Sequence, residues 1–281
     1  MSVLNSNPKV LTIAGSDSSA GAGVQADLKT ISALGGYGCC AITAVTVQNT
    51  QGVRSLNPVD ADIIAAQCEA VFDDIDICSV KIGMLPNIEA IDAVINILKK
   101  YQPACVVWDP VMVATSGDAL VECDVTNKLI NELLPITNIV TPNLHELCQL
   151  SMADEVAMSD AQIEEQSRIL LDKGARYVLA KGGHGVGKDA TDWLFTNEIS
   201  EKYIKPRIKT NNTHGTGCTL SSAIACLRPQ LPNMQEAVLA AKNYVQIAIA
   251  EAVDWQLGKG HGPIDHFHSG RAYRFSGVAK I

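Results

Sequence analysis

Short runs of β-branched and other apolar residues alternate along the chain with longer segments in which apolar residues recur every three or four positions. The short runs predict strands and the longer segments predict amphipathic helices. Val10 to Ala14 predicts the first strand, and a Gly/Ser/Ala loop from Gly15 to Gly23 follows it. The apolar positions from Val24 to Leu34 then mark one helix face. Strand, loop and helix in this order are typical of a βαβ unit.

The alternation continues to about residue 190, where two strand-like runs predict an antiparallel hairpin or edge before two final helices. Regular βαβ alternation favours an α/β fold with a mostly parallel central sheet and helices on both faces. The predicted strands are 10–14, 41–47, 79–82, 105–108, 136–140, 177–180, 192–195 and 203–208. The predicted helices are 24–34, 61–72, 88–100, 125–134, 160–172, one beginning near 216, and 235–253.

Composition bounds the class of protein. No linker, repeat or charge block divides the chain, so we expect residues 1–281 to form a single domain. The formal charge of -8 argues against nucleic acid or an anionic membrane surface as a partner, because both bind clustered Lys and Arg. The first nine residues lack a targeting pattern, and no run of about 18 apolar residues occurs. We therefore expect a cytoplasmic protein.

Several features that suggest other chemistry are set aside. The segment 182–188 fits G-x-x-x-x-G-K, but Asp189 stands where a P-loop needs Ser or Thr. The glycines of the first loop do not follow G-x-G-x-x-G. His266 and His268 lack a nearby third metal ligand, which favours a surface or interface role. The nine cysteines include no C-x-x-C pair, which argues against disulfides and structural zinc.

Polar residues follow most of the predicted strands. Ligands of open parallel sheets bind beyond the carboxyl ends of the strands. Acids, amides and lysines that converge there could hold nucleotide phosphates and a metal ion, or could cap the helices that follow. The candidates are Asp17, Gln48, Asn49, Lys81, Met84, Asp109, Asn143, Glu146 and Lys181.

The segment from Asn212 to Leu220 carries the most specific local signal. Its glycines precede a predicted helix, so free N–H groups and the helix dipole would form an anion hole for a phosphoryl group. A thiol in this first turn would have a depressed pKa, which makes Cys218 a candidate thiolate and general base. The alternative is a Gly-rich helix start with a buried Cys. Asp27 likewise either complements a helix dipole or bonds a substrate amine.

These motifs, taken in order, carry a resemblance. From about residue 8 to 268 the chain resembles the hydroxymethylpyrimidine/phosphomethylpyrimidine kinases of thiamine biosynthesis. The segments that carry it are Thr12–Asp17, Gly21–Thr30, Val47–Thr50, Lys81–Leu85, Asp109–Met112, Thr141–Asn143, Lys181–His184 and His214–Thr219. Cys218 selects this subfamily, because the wider ribokinase-like superfamily has Asp at this position.

The resemblance implies a ribokinase-like fold, a homodimer, and ATP with Mg²⁺. It implies phosphorylation of 4-amino-5-hydroxymethyl-2-methylpyrimidine, and then of its monophosphate to the pyrophosphate. For the substrate it implies Gln48 and Asp27 as hydrogen-bond partners and Ala22, Val47 and Met84 as apolar neighbours. For ATP and the metal it implies Lys181, Thr213, Asn143, Asp109 and Glu146. For the anion hole it implies Gly215, Gly217 and the Cys218 N–H.

Two alternatives remain open. A pyridoxal/pyridoxamine kinase shares the superfamily, ATP and the anion hole, although Cys218 and Gln48 favour a pyrimidine. A sensor that binds without catalysis is the other, and the intact set of Lys181, Asp109 and Glu146 argues against it. Two positions depart from the family pattern, His145 in place of a common Pro and Asn211 in place of a frequent Lys, and both bear on nucleotide affinity or loop order.

Overall fold

The computed structural model describes residues 7–111, 123–183 and 187–273. Its strands are β1 (Lys9–Ser16), β2 (Tyr37–Asn49), β3 (Gly52–Pro58), β4 (Ser79–Ile82), β5 (Val106–Trp108), β6 (Ile139–Val140), β7 (Tyr177–Lys181), β8 (Asp189–Phe195) and β9 (Ser200–Pro206). Its α-helices are α1 (Gly23–Ala33), α2 (Ala61–Phe72), α3 (Ile88–Tyr101), α4 (Cys123–Lys128), α5 (Leu144–Ser151), α6 (Asp160–Asp172), α7 (Thr216–Leu227) and α8 (Met234–Glu251).

All nine strands within those ranges join one sheet, in the order β3-β2-β1-β4-β5-β6-β7-β8-β9. From β2 to β7 neighbouring strands run parallel. The strands β3, β8 and β9 near the two edges pair antiparallel to their neighbours. The expected α/β fold with a mostly parallel sheet is confirmed, and so is the antiparallel hairpin after residue 190.

Helices cover both faces of the sheet because the side chains of each strand alternate between two cores. Leu11 and Ile13 of β1 lie in one core, which also contains Ile91 of α3. Val10 lies in the other core, together with Ile224 of α7. All five of these side chains are fully buried. No helix in the described part of the chain is long and apolar enough to cross a membrane.

The structure departs from the predicted elements in three places. The predicted helix 125–134 is divided into α4, a π-helical turn at Leu129–Leu133 and a 3-10 turn at Leu134–Ile136. Strand β3 was not predicted, because most of its residues are polar or only partly buried. Helix α5 was also missed, although Asn143 and Glu146 form a capping box at its start.

Two sequence motifs extend into residues outside the described ranges. Met112, the last residue of the motif that begins at Asp109, is one of them, and residues 184–186 of the rejected P-loop are others. The segment after Lys188 continues as strand β8. A P-loop continues as a helix, so this agrees with its rejection.

Candidate active site

Three of the predicted polar residues meet at the carboxyl ends of β5, β6 and β7. The Lys181 ammonium lies 2.7 Å from Asp109 Oδ1 and 3.9 Å from Glu146 Oε2. Thr141 donates its hydroxyl to Asp109 Oδ1 at 3.2 Å. Asp109 and Lys181 come from strand ends 72 residues apart in sequence. The parallel sheet therefore assembles one cation between two carboxylates.

The start of α5 holds Glu146 in place. The Asn143 side-chain oxygen accepts the backbone N–H groups of His145 and Glu146, both at 2.9 Å. In return, Glu146 Oε2 accepts the backbone N–H of Asn143 at 2.7 Å. This reciprocal capping box leaves the Asn143 amide nitrogen as its remaining donor group.

The charges of this cluster depend on one another. Burial opposes the charge of Lys181, but Asp109 and Glu146 together hold the pKa of Lys181 above its usual range. Burial also opposes ionisation of Asp109, yet Lys181 and Lys81 hold the pKa of Asp109 below its usual range. Glu146 is different, because burial and the neighbouring Asp109 outweigh Lys181 and raise its pKa to about 7. The cluster thus contains a fixed ion pair and a carboxyl group that titrates near neutral pH.

Helix α7 begins beside this cluster. Gly215, the residue before its first turn, has a positive φ of 82°. A β-carbon on Gly217 would lie 3.3 Å from Lys181 Nζ and 3.5 Å from Asp109 Oδ2. The N–H groups of this first turn lack helical acceptors, and the helix dipole favours an anion there. The predicted anion hole therefore lies directly against the Lys181–Asp109 pair.

A cavity of about 180 Å³ opens on the other side of the α7 start, between the β1–α1 loop and β2. Ala22, Gln48 and Met84, three of the predicted substrate neighbours, line it. Lys81 and Cys218 also line it. A small planar ring could lie between the apolar side chains with the Gln48 amide at its edge. Cys218 belongs to both regions, since it lines the cavity and follows Gly217 in the anion-hole turn.

The predicted low pKa of Cys218 is wrong for this geometry. Burial raises the pKa of the thiol to about 11, and Asp27 and Asp109 act in the same direction. The Lys81 ammonium and the Gly23 N–H lower it without outweighing the burial. In this buried site, removing a thiolate from water costs more free energy than its interaction with the helix dipole provides. Cys218 is a neutral thiol near pH 7.

The structure also corrects the predicted role of Asp27. Its side chain is fully buried and pairs with the Lys81 ammonium at 2.9 and 3.0 Å. Its oxygens further accept the hydroxyls of Thr12 and Ser222, both at 2.6 Å. Asp27 does not line the cavity and has no exposed atom for a substrate amine. Its role is to balance the charge of Lys81, which does line the cavity.

Lys81 was a candidate from its position but received no role from the sequence. Burial opposes its charge, yet Asp27 raises its pKa above the usual range, so the ammonium is retained. The signal was present in the sequence, because a lysine within the apolar strand Ser79–Ile82 must be paired if the strand is central.

Val47 is a second correction. Its side chain is 53% exposed, whereas Thr46 and Gln48 line the cavity. Successive side chains of a strand point to opposite faces, so Val47 cannot share the cavity with both of its neighbours. The sequence therefore identified a strand that lines the cavity, but Val47 lies on the outer face of that strand.

Two further residues of the site received no role from the sequence, although Asp17 was a candidate by position and His214 begins the motif at the anion hole. Asp17, at the start of the first loop, and His214, before the anion-hole glycines, form a contact of 2.9 Å at the cavity wall.

Thr213, predicted to position nucleotide phosphates, is exposed, and its carbonyl accepts the Thr216 N–H at 3.3 Å. His266, expected at a surface or an interface, is buried within the chain and contacts the Thr219 hydroxyl at 3.1 Å.

The oxygen set suits a magnesium ion that arrives with a nucleotide. In the described ranges no group of three or more His, Cys, Asp and Glu side chains could hold a metal ion unaided. Mg²⁺ usually takes one or two carboxylates together with substrate phosphates and waters. Asp109 and Glu146 supply two carboxylates beside the anion hole, which fits that arrangement.

Comparison with known proteins identifies the family of the chain. A sequence model described as phosphomethylpyrimidine kinase matches residues 17–265. The hydroxymethylpyrimidine/phosphomethylpyrimidine kinases of Escherichia coli and Rhizobium meliloti are 48% and 49% identical to the chain over 92% of its length, covering 97% and 96% of their own.

Solved structures give the same picture of the fold. A pyridoxal kinase from Bacillus subtilis, in complex with ADP, superposes with a TM-score of 0.87 at 35% identity, covering 94% of this chain and 99% of its own. A phosphomethylpyrimidine kinase from Clostridium difficile superposes with a TM-score of 0.75 at 41% identity, covering 86% of this chain and 99% of its own. With its ribokinase-like fold and this sequence match, the chain belongs to the phosphomethylpyrimidine kinase family.

Proposed function

We propose that this protein transfers the γ-phosphoryl group of ATP to the hydroxymethyl group of 4-amino-5-hydroxymethyl-2-methylpyrimidine, and then phosphorylates the monophosphate to the pyrophosphate. One observation carries the proposal. Cys218 lines the small cavity, and its neighbour Gly217 lies against Lys181 and Asp109. A hydroxyl group held in the cavity would therefore face a phosphoryl group held at the start of α7.

The residues of the chain divide the work between two ligands. Gln48, Ala22 and Met84 would bind and orient the pyrimidine. The N–H groups at the start of α7, those of Gly215, Gly217 and Cys218, would bind the oxygens of the transferred group. Lys181 would neutralise phosphate charge, with Thr213 and Asn143 placed along the nucleotide. Positioning and charge neutralisation supply most of the catalysis in phosphoryl transfer.

Asp109 and Glu146 would hold Mg²⁺. When bound, the ion would neutralise charge on the nucleotide phosphates. Glu146 holds a proton below a pH of about 7, so we expect it to become an effective ligand as the pH rises through that value. Asp109 is already ionised, because Lys181 and Lys81 lower its pKa.

In the reaction, the hydroxyl oxygen of the pyrimidine forms a bond to the γ-phosphorus as the bond to the β-phosphate oxygen breaks. ADP leaves, and the hydroxyl proton is lost to a base or to water. A neutral Cys218 thiol cannot accept that proton, and only the small thiolate fraction could act as a base. The second step has a phosphate acceptor that needs little base.

Coupled ADP release tests the proposal. Purified protein with ATP and Mg²⁺ would receive hydroxymethylpyrimidine, its monophosphate and pyridoxal in separate reactions. We expect turnover of both pyrimidines, and its loss when EDTA removes the metal and its recovery when Mg²⁺ is restored. Absence of turnover with both pyrimidines would refute the proposal.

A pyridoxal kinase is the second candidate, since several of the superposed structures are pyridoxal kinases. If the protein is a pyridoxal kinase, the same assay should give a higher kcat/KM for pyridoxal than for hydroxymethylpyrimidine. The Gln48 amide favours the pyrimidine, because it can donate to a ring nitrogen and at the same time accept from the adjacent amine.

The homodimer and the cytoplasmic location stay predictions from the sequence. Analytical ultracentrifugation would test whether the protein is a dimer.

A further inference from the structure

One histidine joins the anion-hole turn to the cavity. His214 Nε2 lies 2.9 Å from Asp17 Oδ2 and 3.3 Å from the side-chain amide of Gln48. The imidazole is 19% exposed and the Asp17 side chain is 4% exposed. Both contacts therefore lie at the edge of the substrate cavity and are mostly shielded from water.

The proton on this nitrogen is determined by Asp17. Asp17 Oδ2 already accepts the backbone N–H groups of Gly21 and Ala22, at 3.1 and 2.8 Å. Its other oxygen accepts the Ser19 N–H and hydroxyl. A carboxylate with this many donors is ionised and acts only as an acceptor. A bare lone pair on His214 Nε2 would oppose it at 2.9 Å, so Nε2 carries a proton and donates it to Asp17.

The protonated Nε2 has no lone pair for Gln48. The Gln48 amide nitrogen faces it at 3.3 Å, and the amide oxygen faces the Thr46 hydroxyl at 3.1 Å. That hydroxyl has one proton, and the Ser16 carbonyl lies closer to it, at 2.9 Å. Turning the amide by 180° removes both conflicts, because the His214 Nε2–H that donates to Asp17 at 2.9 Å can share its proton with a second, longer acceptor at 3.3 Å. The oxygen then faces the His214 N–H, and the nitrogen donates to the Thr46 oxygen.

We propose that His214 is a positioning residue that sets substrate selectivity. It holds the Gln48 side chain so that the amide oxygen faces His214 and the amide nitrogen faces Thr46. The amide keeps one N–H and one oxygen lone pair for a ligand. A ring nitrogen beside an amine matches that pair, with the amine on the His214 side. This inference rests on the proposed pyrimidine substrate.

The packing around His214 supports a fixed orientation of its ring. A β-carbon on Gly21 would overlap the ring at Cδ2, so the ring packs directly on the backbone of the first loop. The backbone N–H of His214 donates to the Gly262 carbonyl at 3.0 Å. The ring thus packs on the first loop and its backbone is fixed by Gly262, while Asp17 orients the ring nitrogen.

Steady-state kinetics on two acceptors test the proposal. The acceptors are hydroxymethylpyrimidine and the analogue that lacks the 4-amino group. We expect His214→Phe, which keeps a ring without the donor, to raise the KM of the aminopyrimidine about tenfold, as for the loss of one hydrogen bond. The preference for the aminopyrimidine over the analogue should fall by a similar factor while the KM of ATP stays unchanged.

Two further variants separate positioning from a general structural role. His214→Gln can place an amide N–H near Asp17 and should restore most of the preference. In a Gln48→Ala background, His214→Phe should cause no further loss of preference, because His214 acts through Gln48. Additive losses in the double variant, or an unchanged preference in His214→Phe, would overturn the proposal.

Failure of this inference is distinguishable from failure of the proposed function. If the wild-type protein does not turn over hydroxymethylpyrimidine, the proposed function has failed. A separate readout needs no turnover: a ¹⁵N spectrum of the histidine rings at pH 8, with His214 assigned from the His214→Gln variant. We expect the proton on Nε2, and a ring protonated only on Nδ1 would refute the inference.

Discussion

The α-carbon of Gly215 faces the carbonyl oxygen of Gly21 so closely that a β-carbon there would overlap that oxygen. The two glycines belong to the anion-hole turn and to the loop after β1. Their contact holds the phosphate-binding backbone against the substrate cavity. His214, which precedes Gly215, and Ala22, which follows Gly21, both line that cavity.

Gly215→Ala should therefore abolish activity. The substitution adds both the overlap with Gly21 and the strain of an L-residue at a φ of 82°. We expect kcat/KM to fall at least about 100-fold, as for loss of the donors that bind a developing charge. Gly35→Ala is the matched control, because Gly35 has a φ of 80° and nothing within 4 Å of its β position. It should cost about 1–2 kcal/mol of stability and leave kcat/KM unchanged; equal effects of both variants on activity would contradict this account.

Asp27→Asn should reduce stability strongly. It leaves the fully buried Lys81 ammonium without its charge partner, and breaking such a pair costs about 3–5 kcal/mol. The exposed pair of Lys202 and Asp160 provides the control, since Asp160→Asn should cost about 0–1 kcal/mol. Urea unfolding measures both. A stable Asp27→Asn protein with only a raised pyrimidine KM would instead restore the substrate contact predicted from the sequence.

The raised pKa of the Cys218 thiol leads us to expect that the first phosphorylation depends on pH. Its pKa of about 11 means that the thiolate fraction rises about tenfold for each pH unit between 7 and 9. If the thiolate is the base, kcat for hydroxymethylpyrimidine should rise with pH over this range, and Cys218→Ala should remove the slope above pH 8, where Glu146 is already ionised. Cys218→Ala should also impair the first phosphorylation more than the second. The same slope in both proteins, or equal loss in both steps, would exclude Cys218 as the base.

Glu146→Gln should raise stability while reducing activity. Folding raises the pKa of Glu146 from 4.5 to about 7, so the folded state binds more protons between those values and stability falls as the pH rises through them. The Gln variant avoids this loss, and we expect its Tm to exceed that of the wild type by several degrees at pH 8 but not at pH 4.5. Thermal melts at the two pH values measure the effect. Activity should fall because a metal ligand is removed, and a Tm difference that does not vary with pH would contradict the assignment.

Much of the fold could be predicted because buried strands and amphipathic helices follow different periods. Strand Ser79–Ile82 and helices Ala61–Phe72 and Asp160–Asp172 lie where the pattern placed them. Strand β3 could not be predicted this way, since it pairs at an edge and has no buried face to impose alternation. Helix α5 has only 8 residues, too few for a periodic signal, and its capping box was the better indicator.

The sequence predicted where the site residues lie better than it predicted their pKa values and charge partners. The order of the strands brings Asp109, Lys181 and the α7 turn together, as expected for a parallel sheet. The pKa of Cys218 depends instead on how deeply tertiary packing buries the thiol, which no local motif encodes. The role of Asp27 depends on Lys81, which lies 54 residues away in sequence. Both corrections arise from long-range contacts between buried charges.

The contact between Asp17 and His214 spans 197 residues of sequence, and the turn at His214 is itself paired with Pro263. During synthesis on the ribosome, the loop after β1 emerges long before its partner exists. The nascent chain therefore has no complete substrate cavity until the segment up to Pro263 has left the exit tunnel. Ligand binding can then stabilise only chains that contain this segment, and the pyrimidine would act as a selective stabiliser of those chains over chains truncated before it.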